Sequence, residues 1–221
     1  MKLLLQAVTK FAAGLLMIGL ILFLPAGTWN YPNGWRFCAL LFIPMLILGT
    51  VLFFKAPELL KKRLASKETE TDQKQVIALS LLMFIGGFVI AGLDFRFGWS
   101  NLPGWAVNAA SVILLVSYGL YAEVMRENAY LSRTVEVQEG QKVIDTGLYS
   151  IVRHPMYMAS TVLFLSMPLV LGSLPAFAVF LIYPLLLVKR IKNEEAVLEE
   201  GLPGYAEYKK KVKYRMIPFV W

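Results

Sequence analysis

Residues 147–157 read Gly147-Leu-Tyr149-Ser-Ile-Val-Arg153-His154-Pro155-Met156-Tyr157, which puts a cation, an imidazole, two phenols and a helix-starting proline in one short stretch. Proline suits the first turn of a helix, and the backbone donors that follow it attract anions and carboxylates. Arginine at a helix end and tyrosine in an aromatic belt also anchor proteins at membrane interfaces, and that structural reading competes. A second cluster, Lys189-Arg190-Ile-Lys192-Asn-Glu194-Glu195, places Arg190 and Glu194 on one helix face, with Glu195 turned about 100° away. A guanidinium beside a carboxylate can hold an anionic acceptor next to a cationic cofactor. The plainer alternative is an i,i+4 salt bridge on a helix at the membrane edge. One histidine and one cysteine leave too few ligands for a metal site of several His or Cys and only His154 as the base of a hydrolytic triad, so no metal is expected.

These clusters must be positioned by a chain that is 57% hydrophobic and 17% charged over 221 residues. Its mean hydropathy is +0.60. Soluble domains carry about 25% charge, so the balance points to lipid. The net charge of +7 is compatible with nucleic acid or with an anionic membrane surface, and the hydropathy selects the membrane. Segments 3–24, 37–54, 76–93 and 105–122 are long enough to span a hydrocarbon core of about 30 Å. The first holds Lys10 near one end, where a lysine can snorkel. Pro25-Ala26-Gly27 is a poor signal-peptidase site, so this segment is expected to remain a helix.

The uncharged run 155–188 is too long for one span, about 51 Å as a single helix, and Gly172-Ser173-Leu174-Pro175 breaks it at the middle. It reads as a helical hairpin with two arms of about 15 residues, kinked at Pro168 and Pro184. The expected fold is therefore an all-α polytopic membrane bundle of about six hydrophobic segments, the last two a short hairpin. With the N-terminus in the cytoplasm, 20 of the 22 Lys and Arg fall inside, leaving only Arg36 and Arg96 outside. That asymmetry favours a multi-pass protein with both termini cytoplasmic.

Residues 1–122 read as a four-helix transmembrane scaffold and 123–221 as a catalytic part of the same bundle. The 55–75 loop, six basic and four acidic residues, reads as a solvated connector. The tail 198–221 reads as a cytoplasmic amphipathic helix followed by an extended strip.

Three motifs in order resemble the isoprenylcysteine carboxyl methyltransferase and phospholipid methyltransferase group of integral-membrane, S-adenosylmethionine-dependent enzymes. They are Gly147, Tyr149, Arg153, His154, Pro155 and Tyr157; then Arg190, Glu194, Glu195 and Leu198; then Tyr205, Tyr208, Val212 and Pro218. The likeness covers roughly 134–221. It implies that Gln138, Gln141, Lys142, Val143, Ile144, Tyr149, His154, Pro155, Met156 and Tyr157 enclose S-adenosylmethionine. It further implies that Glu194 faces the cofactor's charged amino-acid end and that Arg190 is the catalytic residue holding the acceptor. Ala159 stands where a glycine is usual, and Leu202-Pro203-Gly204 is one residue short of the usual spacing before Tyr205.

The bidentate fork of an arginine favours a carboxylate acceptor of isoprenylcysteine type on a lipophilic or prenylated substrate. Phospholipid amines and small thiols are the alternative acceptors. A sterol-reductase-like enzyme using a nicotinamide cofactor and a non-catalytic membrane protein are the readings from other classes. The expected partners are the lipid bilayer and the substrate, with no nucleic acid.

Overall fold

A bilayer offers a peptide backbone no hydrogen-bond partners, so long apolar stretches satisfy themselves as helices. The computed structural model describes residues 2–64, 71–132 and 135–221, with 71–73 as backbone only. In chain order the helices are α1 (Lys2–Ala26), α2 (Pro32–Lys55), α3 (Pro57–Leu64), α4 (Thr71–Phe97), α5 (Gly104–Glu127), α6 (Pro155–Leu171), α7 (Leu174–Phe180), α8 (Ile182–Gly201) and α9 (Tyr205–Lys211). A short 3₁₀ turn covers Gly147–Ser150. No strand occurs among the described residues. Part of the charged 55–75 loop, Lys67 included, lies outside the described residues.

Five stretches are long and apolar enough to cross a membrane: α1, α2, Lys74–Phe97 of α4, α5, and the run Leu174–Gly201 formed by α7 and α8. The shorter apolar α6 makes the sixth hydrophobic segment. The chain is thus a polytopic all-α bundle. Each of α1, α2, α4 and α5 encloses the apolar stretch read for it and extends beyond it at both ends.

The hairpin turn falls where Gly and Pro place it. Gly172 takes φ +83°, and its N–H bonds the carbonyls of Leu169 and Pro168, closing α6. A side chain there would meet both the left-handed backbone and the Asn33 amide. Ser173 caps α7 by accepting from the Ala176 N–H at 3.2 Å.

The return arm differs from two matched short helices. It breaks at Leu181, three residues before Pro184, whose ring crowds the carbonyl of residue 180 and withdraws a donor. It then continues to Gly201 rather than stopping at the first charge. Lys, Arg, Glu, Ala and Leu are all good helix formers, so α8 persists until Gly201, Leu202 and Pro203 end it. The Arg190–Glu194 cluster therefore lies inside α8.

Packing puts α5 along α6, and α4 between α1 on one side and α7–α8 on the other. Leu22, Phe37, Phe88, Leu114, Phe180 and Leu187 meet in the core. Outward-facing Leu5, Leu16, Ile47, Leu82, Val112 and Leu185 are exposed. This apolar exterior suits lipid, where close packing rather than water exclusion holds helices together.

At the end of the bundle that carries the α6–α7 turn, buried Asp94 receives the Ser100 N–H at 2.7 Å. The Ser100 hydroxyl receives the Leu174 N–H, and Tyr31 donates to the Leu171 carbonyl at 2.7 Å. The opposite end carries α3, residues 128–132 and 135–150, and α9, and there the candidate site lies.

Candidate functional site

Two consecutive glutamates on α8 divide the labour because they point in different directions. Glu195 is 3% exposed and collects three cationic or imidazole partners. Its Oε1 accepts from Arg153 Nε at 2.8 Å, its Oε2 from Arg215 Nε at 2.9 Å, and His154 Nε2 stands 3.3 Å from Oε1. Arg153, itself buried, also donates to the carbonyls of Val212 and Lys213 at 2.6 and 2.9 Å. The chain after α9 lies extended against this arginine. The Arg153 N–H donates to the Tyr214 carbonyl at 2.9 Å and the His154 N–H to the Arg215 carbonyl at 2.8 Å. Glu195 thereby ties the start of α6, α8 and the tail together.

Glu194 turns instead towards the cavity. Its Oε2 accepts from the Tyr157 hydroxyl at 2.5 Å, and its Oε1 stands 3.8 Å from His154 Nδ1. The Tyr157 oxygen in turn accepts from Arg190 Nε at 2.8 Å, and the guanidinium lies 5.9 Å from the tyrosine ring centre. Arg190 and Glu194 are thus bridged by a phenol brought from the other arm of the hairpin. The two polar clusters read from the sequence do meet.

The loop that closes the mouth is set by Gly147. Its φ of +49° favours glycine, and a Cβ there would collide with the Glu127 carboxylate. Glu127 Oε2 accepts the Leu148 N–H at 3.1 Å, and Asn128 donates to the Tyr149 hydroxyl at 2.9 Å. Tyr208 of α9 donates to the Tyr149 carbonyl at 2.7 Å. Burial pushes the phenols of Tyr149, Tyr205 and Tyr208 above their ordinary range, so all three stay neutral. Lys211 holds the exposed Asp145 carboxyl below its usual range through a 2.8 Å bond.

These elements surround a cavity of about 480 Å³, within the size range of small-molecule and cofactor sites. Arg190, Gln141, Lys142, Val143, Ile144, Tyr149, His154, Met156, Tyr157 and Glu194 all line it, so ten of the twelve residues singled out from the sequence converge. Gln138 and Pro155 are not in the wall. Gln138 accepts from Lys62 Nζ and donates to the Tyr130 carbonyl, bracing the loop, and Pro155 opens α6.

The wall also holds residues that sequence reasoning passed over. Arg63 of α3 donates to the Tyr121 hydroxyl and to the Ser132 carbonyl. Ser80 and Phe84 of α4, Phe164 of α6, and Tyr183 of α8 supply an inner, largely apolar wall. Nothing local marks Arg63 within a run of loop charges; only the folded bundle brings it here. Among the described residues no group of three or more His, Cys, Asp or Glu could hold a metal ion.

Fold and site together define a polytopic helical membrane protein with a polar-mouthed cavity built from its final hairpin and tail. Residues 109–200 match the family model for the isoprenylcysteine carboxyl methyltransferase family, which bears out the resemblance over the first two motifs; the third, from Tyr205 to Pro218, lies beyond the matched segment. Over 91 residues the chain is also 31% identical to a Delta(14)-sterol reductase of Mus musculus, an alignment covering 40% of this chain and 22% of the reductase. The chain thus spans only about a fifth of that relative's length.

Proposed function

We propose that this protein is an integral-membrane methyltransferase that moves a methyl group from S-adenosylmethionine to a lipophilic acceptor, with a carboxylate of isoprenylcysteine type as the best-fitting acceptor group. The observation that carries the reading is the Arg190–Tyr157–Glu194 bridge in the wall of a cavity with an apolar inner end. The family match supports the reaction class.

The residues fit the cofactor. Glu194 offers a carboxylate to a cationic amino group, and the cavity is of a size to take a nucleoside with an amino-acid arm. S-adenosylmethionine, when bound, supplies an electrophilic methyl on sulfonium. The protein's task is then to align two reactants at about 3–3.5 Å, exclude water and cancel charge. Arg190 would orient the acceptor with its planar fork, and Tyr157, shared between Arg190 and Glu194, would fix the spacing of acceptor and cofactor. His154, between Glu194 and Glu195, would hold the wall rather than take a proton, since a carboxylate acceptor is already nucleophilic. In this reading residues 123–221 form the catalytic part, and 1–122 form the scaffold, whose α3 and α4 lend part of the wall. Both termini and the cavity mouth are assigned to the cytoplasm from the distribution of Lys and Arg.

The test is transfer of labelled methyl from S-adenosylmethionine to a prenylcysteine, a phospholipid amine and a lipophilic thiol, by wild type and Arg190→Lys. Lysine keeps the charge but loses the fork. Misplacing an acceptor by about 1 Å can cost on the order of 100-fold in rate, so ester formation should collapse while S-adenosylhomocysteine affinity stays near normal. Wild-type turnover by the lysine variant would move the amine or thiol acceptors ahead. The reductase likeness favours a second reading, a nicotinamide-dependent membrane reductase, over a small part of that relative's length.

A further inference from the structure

Among the described residues one buried side-chain polar atom has no hydrogen-bond partner, and it is the hydroxyl of Tyr205. The residue is 3% exposed and lines the cavity. Native proteins satisfy nearly all buried polar atoms, so an orphan in a cavity wall calls for a partner from the cavity itself. Neighbouring Tyr208 spends its hydroxyl on the Tyr149 carbonyl, so the two tyrosines of α9 are not equivalent.

The face that α8 turns to the cavity shows what that partner is. Leu187, Arg190, Glu194 and Leu198 recur at helical spacing along the wall, and Leu202 follows just beyond the helix. The sequence of chemistries along this stripe is apolar, cationic, anionic, apolar. From Glu194 to Leu202 is roughly 12 Å at about 1.5 Å per residue. At the far end Tyr205 clusters with Leu202, Leu198 and Val143. Tyr208 belongs to the same cluster, but its hydroxyl is already bonded, so a largely apolar slot with one unpartnered phenol hydroxyl suits a flat heterocycle that presents one acceptor or donor at its edge. The charged middle suits the amino-acid arm of the same molecule.

We propose that Tyr205 is a ligand-contacting residue whose hydroxyl binds the purine base of the cofactor, in a subsite formed with Val143, Leu198 and Leu202. The inference rests on the methyltransferase reading and extends it, because it assigns an orientation: base towards α9, amino-acid arm at Glu194, and the acceptor's tail towards Leu187. Tyr205→Phe removes one oxygen from a ring that stays in place. Since that oxygen has no protein partner, the ligand-free variant should melt at the wild-type temperature or above it.

The experiment measures equilibrium binding of S-adenosylhomocysteine and of 5′-methylthioadenosine, which keeps the base and lacks the amino-acid arm, to purified wild type, Tyr205→Phe and Glu194→Gln. Tyr205→Phe should weaken both ligands about 3- to 10-fold, the worth of one ordinary hydrogen bond. Glu194→Gln should weaken only S-adenosylhomocysteine. A Tyr205→Phe loss confined to S-adenosylhomocysteine would place the hydroxyl at the amino-acid arm and overturn the proposal. No loss for either ligand, meaning that the hydroxyl holds only water, would overturn it too, as would a lowered melting temperature of the ligand-free variant. Wild type that binds neither ligand would instead bring down the methyltransferase reading, and this proposal with it.

Discussion

Tyr157 donates its hydroxyl proton to Glu194 at 2.5 Å, across the two arms of the hairpin, while the same oxygen receives Arg190 Nε–H. One phenol therefore sets the distance between the guanidinium assigned to the acceptor and the carboxylate assigned to the cofactor. Tyr157→Phe leaves both charges but frees them from their common partner. The expected result is a 3- to 10-fold loss in S-adenosylhomocysteine affinity, about one hydrogen bond. Methyl transfer should fall further, by on the order of 100-fold, because alignment is lost as well. Equal losses in binding and turnover would show that the phenol serves binding alone.

Glu195 and Glu194 should behave as different kinds of residue. Glu195→Ala strips buried Arg153 of its carboxylate and frees the tail from α8, and breaking a buried pair from one side costs about 3–5 kcal/mol. Thermal unfolding in detergent should show a large loss. Glu194→Gln, at a partly buried wall position, should leave the melting temperature near that of wild type.

The turn at Gly147 gives a third expectation. Alanine there meets a left-handed φ and the Glu127 carboxylate together. A strained backbone costs on the order of 1–3 kcal/mol, and the collision displaces the bond from Leu148 N–H to Glu127. Gly147→Ala should raise protease sensitivity at 140–150, and Glu127→Ala added to it should recover part of the loss. If the double variant is no better than the single one, the collision is not the cause.

What could be read from the sequence followed the strength of the local signal. The apolar stretches of α1, α2, α4 and α5 declare themselves because lipid permits almost nothing else, and Gly172 marks its own turn. The helical face shared by Arg190 and Glu194 is legible from their spacing. That this face continues the hairpin's return arm as one helix to Gly201 is not, because Lys, Arg and Glu are as compatible with a separate helix as with a continued one. The offset of Glu194 from Glu195 was legible as an angle, but their partners were not, since Arg215 and Arg153 reach Glu195 from distant parts of the chain. Arg63 and Phe84 enter the cavity wall only through tertiary packing. Tyr205 stood in a motif, yet nothing local distinguishes its hydroxyl from that of Tyr208.

The assignment of sides can be checked independently of any chemistry. In a Cys38-free variant, single cysteines in the 25–36 and 94–104 connections should react with an impermeant thiol reagent added to intact cells. Lys142→Cys, in the loop that lines the cavity mouth, should react only after permeabilisation. Labelling of Lys142→Cys from outside would invert the topology.

The choice between a methyltransferase and a reductase comes down to which cofactor the cavity holds. Isothermal titration of the purified wild-type protein with S-adenosylhomocysteine and, separately, with NADPH decides it, with Glu194→Gln as the paired sample. S-adenosylhomocysteine should bind, and the glutamine variant should bind it roughly 10- to 150-fold more weakly, the equivalent of about 1.5–3 kcal/mol for a hydrogen bond to a charged group. NADPH should show no saturable heat. Saturable binding of NADPH with none of S-adenosylhomocysteine would contradict the methyltransferase assignment and give the cavity to a reductase.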